Sequence, residues 1–278
     1  MHSEMLKRLL KSCFVGDPRV ERYTVKWTIG DGSFSTVTLA TDNMTGNEVI
    51  LKKAKNLKEE QEIIAEYSLL RRIQHHNIIR PLDFDSNGLG LGFMVLPRYT
   101  RDMYDHVMKK RPSHAEMKMF VKGMASAVNH LHSQDIVHRD IKPENILIKN
   151  DYSSAVLSDF GMAVHVSSKP TNLCGTLAYI APEVQNAVEL KDFRAGLDWK
   201  KCDVFSLGVT FYTVYEFAFL FHGREDDQTS MPGQDYIDEE IDSLSCDDDL
   251  KDLLKKMITV ELEQRFSIDD VMKHPYLQ

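Results

Sequence analysis

The hydrophobic pattern of this chain changes near residue 100 of 278. From Tyr23 to about Lys53 the residues are mainly β-branched and aromatic, with turn sequences at "GDGS" and "DNMTGN". This pattern predicts an antiparallel three-stranded meander. A second strand pair is predicted around 79–97, where the glycine-rich "SNGLGLG" divides the two strands. Between them, Asn56 and Glu59 have the spacing of a helix cap. The apolar residues that follow at helical spacing are Ile63, Ile64, Tyr67, Leu70 and Ile73.

Helical patterns dominate the rest of the chain. Ser113 and Glu116 predict a capping box. The apolar helix face behind it consists of Met117, Phe120, Val121, Met124, Val128 and Leu131. Further helical patterns occupy 203–217, 248–258 and 267–273. A five-stranded sheet with one helix, followed by a helical region, predicts two lobes with a cleft between them, which is a common place for a ligand.

Composition and charge exclude several classes of protein. The net charge of −8 argues against general nucleic-acid binding, which needs a basic surface. The four cysteines lie far apart, so neither a zinc site nor a disulfide framework is predicted. Their use fits a reducing, intracellular compartment such as the cytoplasm or the nucleus. The most apolar run, 210–221, contains Glu216 and is too short to span a membrane.

Three short motifs occur in order behind the predicted long helix. They are "HRDIKPEN" at 138–145, "SDFG" at 158–161 and "GTLAYIAPE" at 175–183. Each has chance matches alone, but their joint occurrence at these spacings is specific. With these motifs the chain resembles a eukaryotic-type serine/threonine protein kinase over roughly residues 20–278. The resemblance implies an α+β, bilobal protein-kinase-like fold, with a small N-terminal five-stranded antiparallel sheet plus one helix and a larger, mostly helical C-terminal lobe.

The resemblance implies ATP- and Mg²⁺-dependent transfer of the γ-phosphate to a serine or threonine hydroxyl of a protein substrate. "KPEN" and Thr176 favour the serine/threonine class. The alternative is a pseudokinase, a binding or scaffolding module that keeps the fold without the chemistry. The family's division gives an N-terminal extension at 1–22, a kinase N-lobe at 23–97 and a C-lobe at 98–278.

Phosphoryl transfer requires mainly positioning and charge neutralisation from the protein. By resemblance, Asp140 is the catalytic base that accepts or orients the proton of the attacking hydroxyl. Lys142 can reach the transferring phosphate. Asn145 and Asp159 supply oxygen ligands to Mg²⁺, a hard cation that prefers oxygen.

A lysine on the third strand should bind the α- and β-phosphates. Lys52 and Lys53 are both possible, but adjacent residues of a strand point to opposite faces, and the family spacing favours Lys52. Its carboxylate partner on the following helix is expected to be Glu66. Three neighbouring glutamates are the alternatives, namely Glu59, Glu60 and Glu62.

The other ATP contacts also follow from the resemblance. Hinge backbone groups face adenine, a carboxylate holds the ribose, apolar side chains enclose the base, and glycines approach the phosphates. Pro97 and Tyr99 are the hinge residues, and Asp102 is the carboxylate. Ile29, Val37 and Leu147 enclose the base, and Gly30 and Gly32 approach the phosphates. Two positions depart from the family pattern: Ser35 replaces the third glycine of the loop, and Ile50 replaces a small alanine in the roof of the adenine site.

Several further residues are expected to support the fold or its control. Glu183 should pair with Arg265, and Asp203 should cap its helix and brace the catalytic loop. Arg139 is a candidate to bind a phosphate on the segment that follows "SDFG". The partners expected for such control are an upstream activating kinase or a regulatory partner. An alternative is that this segment is ordered without modification. The candidate phosphorylation sites are Ser167, Ser168 and Thr171.

Overall fold

The structure is a computed structural model that describes residues 22–31, 35–85, 91–168, 174–189, 196–221 and 233–278. Gly32, Thr171 and nearly all of the predicted N-terminal extension lie outside the described residues. The chain divides into two compact units. The first runs to Gln74 and includes Ile79–Arg98, and the second contains His75–Ile78 and Tyr99–Gln278. The domain boundaries given by the sequence stay predictions.

The first unit contains the predicted five-stranded antiparallel sheet, with strand order β1-β2-β3-β5-β4. The strands are β1 (Tyr23–Asp31), β2 (Ser35–Asp42), β3 (Glu48–Ala54), β4 (Asp83–Asp85) and β5 (Phe93–Pro97). Alternation along β3 places Val49 and Leu51 on one face, where they join an apolar cluster with residues of the neighbouring strands. Burial of a side chain such as Leu51 contributes about 1.5–3 kcal/mol.

Helix α1 (Leu57–Leu70) also lies in the first unit. The side chain of Asn56 accepts a hydrogen bond from the backbone N–H of Glu59, which confirms the predicted start. The Glu59 carboxylate accepts from the N–H of Lys55 rather than from that of Asn56. Three residues of the predicted apolar stripe are buried, namely Ile63, Leu70 and Ile73. The helix therefore begins at the predicted cap. The Glu59 side chain, however, accepts from the residue before the cap and not from the cap itself.

The second unit is mostly helical, as predicted. Its helices are α2 (Met103–Val107), α3 (His114–His132), α4 (Pro182–Glu189), α5 (Trp199–Glu216), α6 (Gln234–Asp242), α7 (Asp248–Met257) and α8 (Ile268–Lys273). The capping box of Ser113 and Glu116 is present at the start of α3. All six residues of the predicted apolar face of α3 are buried. Among the described residues, no helix is both long enough and apolar enough to cross a membrane.

Short strands complete the second unit. They are β6 (Arg101–Asp102), β7 (Ile136–Val137), β8 (Ile146–Ile148), β9 (Val156–Leu157) and β10 (Val164–His165). Strands β6, β8 and β9 form one small sheet, and β10 pairs with β7. The motif at 138–145 lies between β7 and β8, and the motif at 158–161 lies between β9 and β10. The motif at 175–183 follows β10.

The prediction that Asp203 caps its helix is wrong. Helix α5 begins four residues earlier, and its cap is Asp198, whose side chain accepts from the N–H groups of Lys200 and Lys201. Asp203 lies one turn inside the helix, where backbone N–H groups already have carbonyl partners. Its carboxylate is therefore available to another part of the chain.

The predicted ion pair of Glu183 and Arg265 is present. Arg265 donates from Nη1 to Glu183 Oε1 at 2.6 Å and from Nη2 to Glu183 Oε2 at 2.9 Å. The Arg265 side chain is fully buried, and it also donates to the carbonyls of Thr259 and Lys201. The pair thereby connects helix α4 with the segment before α8.

Candidate active site

The loop between β7 and β8 carries the acidic residue expected to be catalytic. The hydroxyl of Thr176 donates to Asp140 Oδ1 at 3.0 Å and accepts from Lys142 Nζ at 2.6 Å. Lys142 Nζ lies 3.0 Å from the other oxygen, Asp140 Oδ2. A carboxylate, a hydroxyl and an ammonium group therefore make three mutual contacts. Thr176 comes from the "GTLAY" motif, 36 residues along the chain.

The amide of Asn145 fixes the orientation of this carboxylate. Its Nδ2 donates to Asp140 Oδ2 and to the backbone carbonyl of Asp140, both at 2.8 Å. Asn145 ends a 3₁₀ turn, Pro143–Asn145, and is itself buried. With both N–H bonds directed to Asp140, the amide oxygen is presented on the other side of the group.

The carboxylate of Asp203 binds backbone N–H groups of the same loop. One oxygen accepts from the N–H of Arg139 at 2.8 Å, and the other accepts from the N–H of His138 at 2.8 Å and lies 3.0 Å from His132 Nε2. Arg139 has a φ of 68°, a left-handed conformation that costs a non-glycine residue about 1–3 kcal/mol. The charge-assisted bonds to Asp203 offset this strain. The predicted bracing of the catalytic loop by Asp203 is thus confirmed.

The Arg139 side chain packs inside the second unit. Its Nε donates to the carbonyl of Met162 at 2.8 Å, and its guanidinium lies 5.3 Å from the ring centre of Trp199. Burial lowers the pKa of the guanidinium. Neither partner was predictable from the sequence, since neither lies in a motif that indicates this contact.

The "SDFG" segment is tied to the catalytic loop by Ser158. Its backbone N–H and its hydroxyl both donate to the carbonyl of Asn145 at 2.8 Å. Its own carbonyl accepts from His138 Nε2 at 3.0 Å, and the His138 ring contacts the ring of Phe160 edge-on at 4.7 Å. Asp159, the next residue, has a left-handed backbone with φ 55° and ψ 73°. The two proposed metal ligands, Asn145 and Asp159, are therefore held by directly bonded segments.

In the first unit, three residues of the predicted ATP site lie side by side across the sheet. Gly30 is paired with Val37, and Val37 is paired with Lys52. Lys52 Nζ contacts both carboxylate oxygens of Glu66, at 3.0 and 2.8 Å. The ion pair expected between the third strand and the following helix is present, and it involves Lys52 and not the neighbouring Lys53.

The remaining residues predicted to contact the adenine or the ribose lie on β1 and β5, before α2 and on β8. Ile29 is exposed on β1, and Pro97 ends β5. Asp102 caps α2 by accepting from the N–H of Asp105 at 2.7 Å, and it is paired with Leu147 of β8. Burial raises the pKa of the Asp102 carboxyl. The structure thus brings Asp102 and Leu147 together.

Tyr99, the other residue of the predicted hinge, lies in the second unit. Its ring is half-buried, with Lys149 Nζ 5.1 Å from the ring centre. Burial raises the pKa of its phenol group.

The oxygen donors fit a magnesium ion that is shared with a substrate. Asn145 offers an amide oxygen and Asp159 a carboxylate, and Mg²⁺ commonly uses one or two carboxylates together with phosphate oxygens and waters. Within the described ranges there is no group of three or more His, Cys, Asp or Glu residues that could hold a metal ion. The amide oxygen of Asn145 and the carboxylate of Asp159 suit a cation that phosphate oxygens of a ligand also bind.

Comparison with known proteins identifies the family. The model of the protein kinase domain matches residues 23–277. The rat serine/threonine-protein kinase DCLK1 is 33% identical over 270 residues, which cover 92% of this chain and 60% of the relative. The Aurora kinase of Schizosaccharomyces pombe is 32% identical over 257 residues, covering 90% of this chain and 69% of the relative. The mouse serine/threonine-protein kinase DCLK2 is 31% identical over 278 residues, which cover 95% of this chain and 35% of the relative.

The chain belongs to the protein kinase domain family. This membership, with the observed sheet and helices, confirms the family and the fold class that the sequence predicted. The chain spans 60% of rat DCLK1 and about a third of mouse DCLK2, so it corresponds to part of each of these relatives.

Proposed function

We propose that this chain is an ATP- and Mg²⁺-dependent serine/threonine protein kinase in which Asp140 is the catalytic base. The observation that carries the proposal is the contact of the Thr176 hydroxyl with Asp140 and Lys142. The Thr176 hydroxyl donates to the Asp140 carboxylate, and the ammonium group of Lys142 donates to that hydroxyl oxygen. A substrate hydroxyl needs the same carboxylate acceptor, and the phosphate that it attacks needs a nearby cation.

The residues of the loop divide the work of phosphoryl transfer. Asp140 accepts the proton of the attacking hydroxyl, and such general-base assistance contributes about 10²–10⁴-fold in rate. Asn145 keeps the carboxylate in one orientation by two hydrogen bonds. Lys142 neutralises charge that develops on the transferring phosphate.

Binding of ATP is proposed to use the residues predicted from the sequence. Lys52, oriented by Glu66, binds the α- and β-phosphates, and Gly30 allows the backbone to approach them. Asn145 and Asp159 hold Mg²⁺, which when bound screens the negative charge of the phosphates. The proposed adenine and ribose contacts are those given by the sequence: Ile29, Val37, Pro97, Tyr99, Asp102 and Leu147.

The substrate is proposed to be a protein with a serine or threonine hydroxyl. The names of the relatives support this class, because rat DCLK1 and mouse DCLK2 are serine/threonine-protein kinases. An upstream activating kinase or a regulatory partner is part of the proposal. The free cysteines of the described residues, Cys174, Cys202 and Cys246, support a reducing compartment such as the cytoplasm or the nucleus.

The test is transfer of the γ-phosphate of ATP to a generic protein substrate, with Mg²⁺ and with a chelator. We expect transfer by the wild type with Mg²⁺, none with the chelator, and a loss of about 10²–10⁴-fold in Asp140→Asn. Asp269→Asn is the matched control, because it removes an exposed carboxylate at the start of α8. No transfer by the wild type, even with Mg²⁺ and an activating kinase, would favour a pseudokinase that acts as a scaffold.

A further inference from the structure

Trp199 covers a charged group that has little contact with water. The Arg139 residue is only 7% exposed and Trp199 only 8%. The guanidinium lies over the indole ring at 5.3 Å from its centre, within the range of a cation–π interaction. Tryptophan is the most favourable aromatic partner for such a cation, and burial strengthens the attraction.

Helix α5 reaches the catalytic loop at two positions of one face. Trp199 and Asp203 are four residues apart, so their side chains are neighbours on the helix surface. Asp203 holds the backbone of His138 and Arg139, and Trp199 holds the Arg139 side chain. The start of the helix is fixed by Asp198, next to Trp199.

The side chain of Arg139 in turn connects two catalytic segments. Its backbone precedes Asp140 directly, and its Nε donates to the carbonyl of Met162, three residues after Asp159. A guanidinium free to change rotamer would loosen both the left-handed backbone at Arg139 and the bond to Met162. The indole ring limits that freedom by covering one face of the planar group.

We propose that Trp199 is a positioning residue for phosphoryl transfer, which acts by stacking on Arg139. The proposal rests on the kinase function proposed above, and it names a residue outside the family motifs that sets the geometry of Asp140. It concerns the aromatic face of the residue and not merely its volume.

The test compares Trp199→Phe with Trp199→Leu. Both replacements are apolar and smaller than tryptophan, but only phenylalanine keeps an aromatic face. We expect kcat of the phenylalanine variant within about twofold of wild type and kcat of the leucine variant about tenfold lower, at unchanged KM for ATP and similar melting temperatures. Trp27→Leu is the control at the other tryptophan, which is exposed on β1, and it should leave kcat unchanged. Equal kcat values for the phenylalanine and leucine variants would overturn the proposal.

A second readout does not depend on activity. The chain has two tryptophans, so Trp27→Phe leaves Trp199 as the sole indole fluorophore. In that background, Arg139→Met removes the stacked cation and should change the emission intensity of Trp199. An unchanged spectrum would contradict stacking. An inactive wild type with the expected spectral change would instead count against the kinase function alone.

Discussion

Two aspartates, Asp140 on the catalytic loop and Asp203 on helix α5, differ in the partners they use. Asp203 is 1% exposed, and it accepts from two backbone N–H groups and contacts a histidine ring. The Asp140 side chain is 15% exposed, and its carboxylate contacts three side chains, from Thr176, Lys142 and Asn145. Backbone donors cannot leave without moving the chain, whereas side-chain donors can rotate away.

The difference indicates a division between building the site and using it. A carboxylate bound to backbone N–H groups fixes the loop, and exchange of its partners would break the fold. A carboxylate bound to hydroxyl and ammonium groups can exchange one hydroxyl for another at little cost. In the proposed reaction, the substrate hydroxyl takes the position on Asp140 that the Thr176 hydroxyl has here.

The largest expected effect on activity with the smallest effect on folding comes from Asp140→Asn. The amide oxygen can keep the bonds from Asn145 and Lys142, and the amide nitrogen can donate to the Thr176 hydroxyl. We expect kcat to fall about 10²–10⁴-fold, while the free energy of unfolding changes by less than about 1 kcal/mol. Urea unfolding and steady-state kinetics measure the two quantities. A large loss of stability would show that Asp140 also builds the loop.

The ion pair of Glu183 and Arg265 extends the comparison to a carboxylate used only for structure. Glu183→Ala would leave the fully buried Arg265 guanidinium without its carboxylate, and such a loss costs about 3–5 kcal/mol of unfolding free energy. Glu183→Gln, which keeps the acceptor oxygen, should cost less. Equal stability of the alanine variant and the wild type in urea would remove the structural role assigned to the pair.

The same pair predicts a dependence of stability on pH. Burial acts to raise the pKa of Glu183, but the hydrogen bonds and charge of Arg265 outweigh it, so the pKa lies below its usual value. Stability from this group is therefore complete above the ordinary pKa of about 4.5 and is lost as pH falls through the lower folded pKa. Unfolding free energies between pH 7 and pH 3 should fall more steeply for the wild type than for Glu183→Gln. Parallel curves would contradict the shift.

Asp203→Asn tests the building side of the comparison. In either orientation the amide nitrogen faces a backbone N–H, of His138 or of Arg139, so one donor loses its acceptor. An unsatisfied buried donor costs about 1–3 kcal/mol. We expect a lower midpoint of urea unfolding together with a lower kcat, because the loop before Asp140 shifts. If Asp203→Asn kept the stability of the wild type, Asp203 would contribute no more to the fold than Asp140 does.

The smallest effect is expected in the first unit, from a change in the predicted phosphate loop. Ser35 begins β2 and is paired with Ala54, so its backbone is extended and does not need glycine. Ser35→Gly should therefore change the affinity for ATP only modestly, as isothermal titration would show. A large rise in kinase activity would mean that serine weakens the phosphate loop.

The sequence predicted the elements with local signals. Alternation along β3 placed Lys52 and Lys53 on opposite faces, and the family spacing favoured Lys52. Capping patterns located the starts of α1 and α3. The contacts that join distant segments were not predictable in the same way. Thr176 reaches Asp140 across 36 residues and Trp199 reaches Arg139 across 60, and no periodicity encodes either contact. Asp203 was assigned as a cap because an aspartate before an apolar run resembles one, but Asp198 has that position.

Amide hydrogen exchange at Arg139 tests the division between the two aspartates most directly. Its N–H donates to Asp203, so its exchange rate reports whether the loop is held, independently of catalysis. We expect a protected amide in the wild type and in the inactive Asp140→Asn, and fast exchange in Asp203→Ala, which removes both acceptor oxygens. Fast exchange in Asp140→Asn, or a protected amide in Asp203→Ala, would contradict the division.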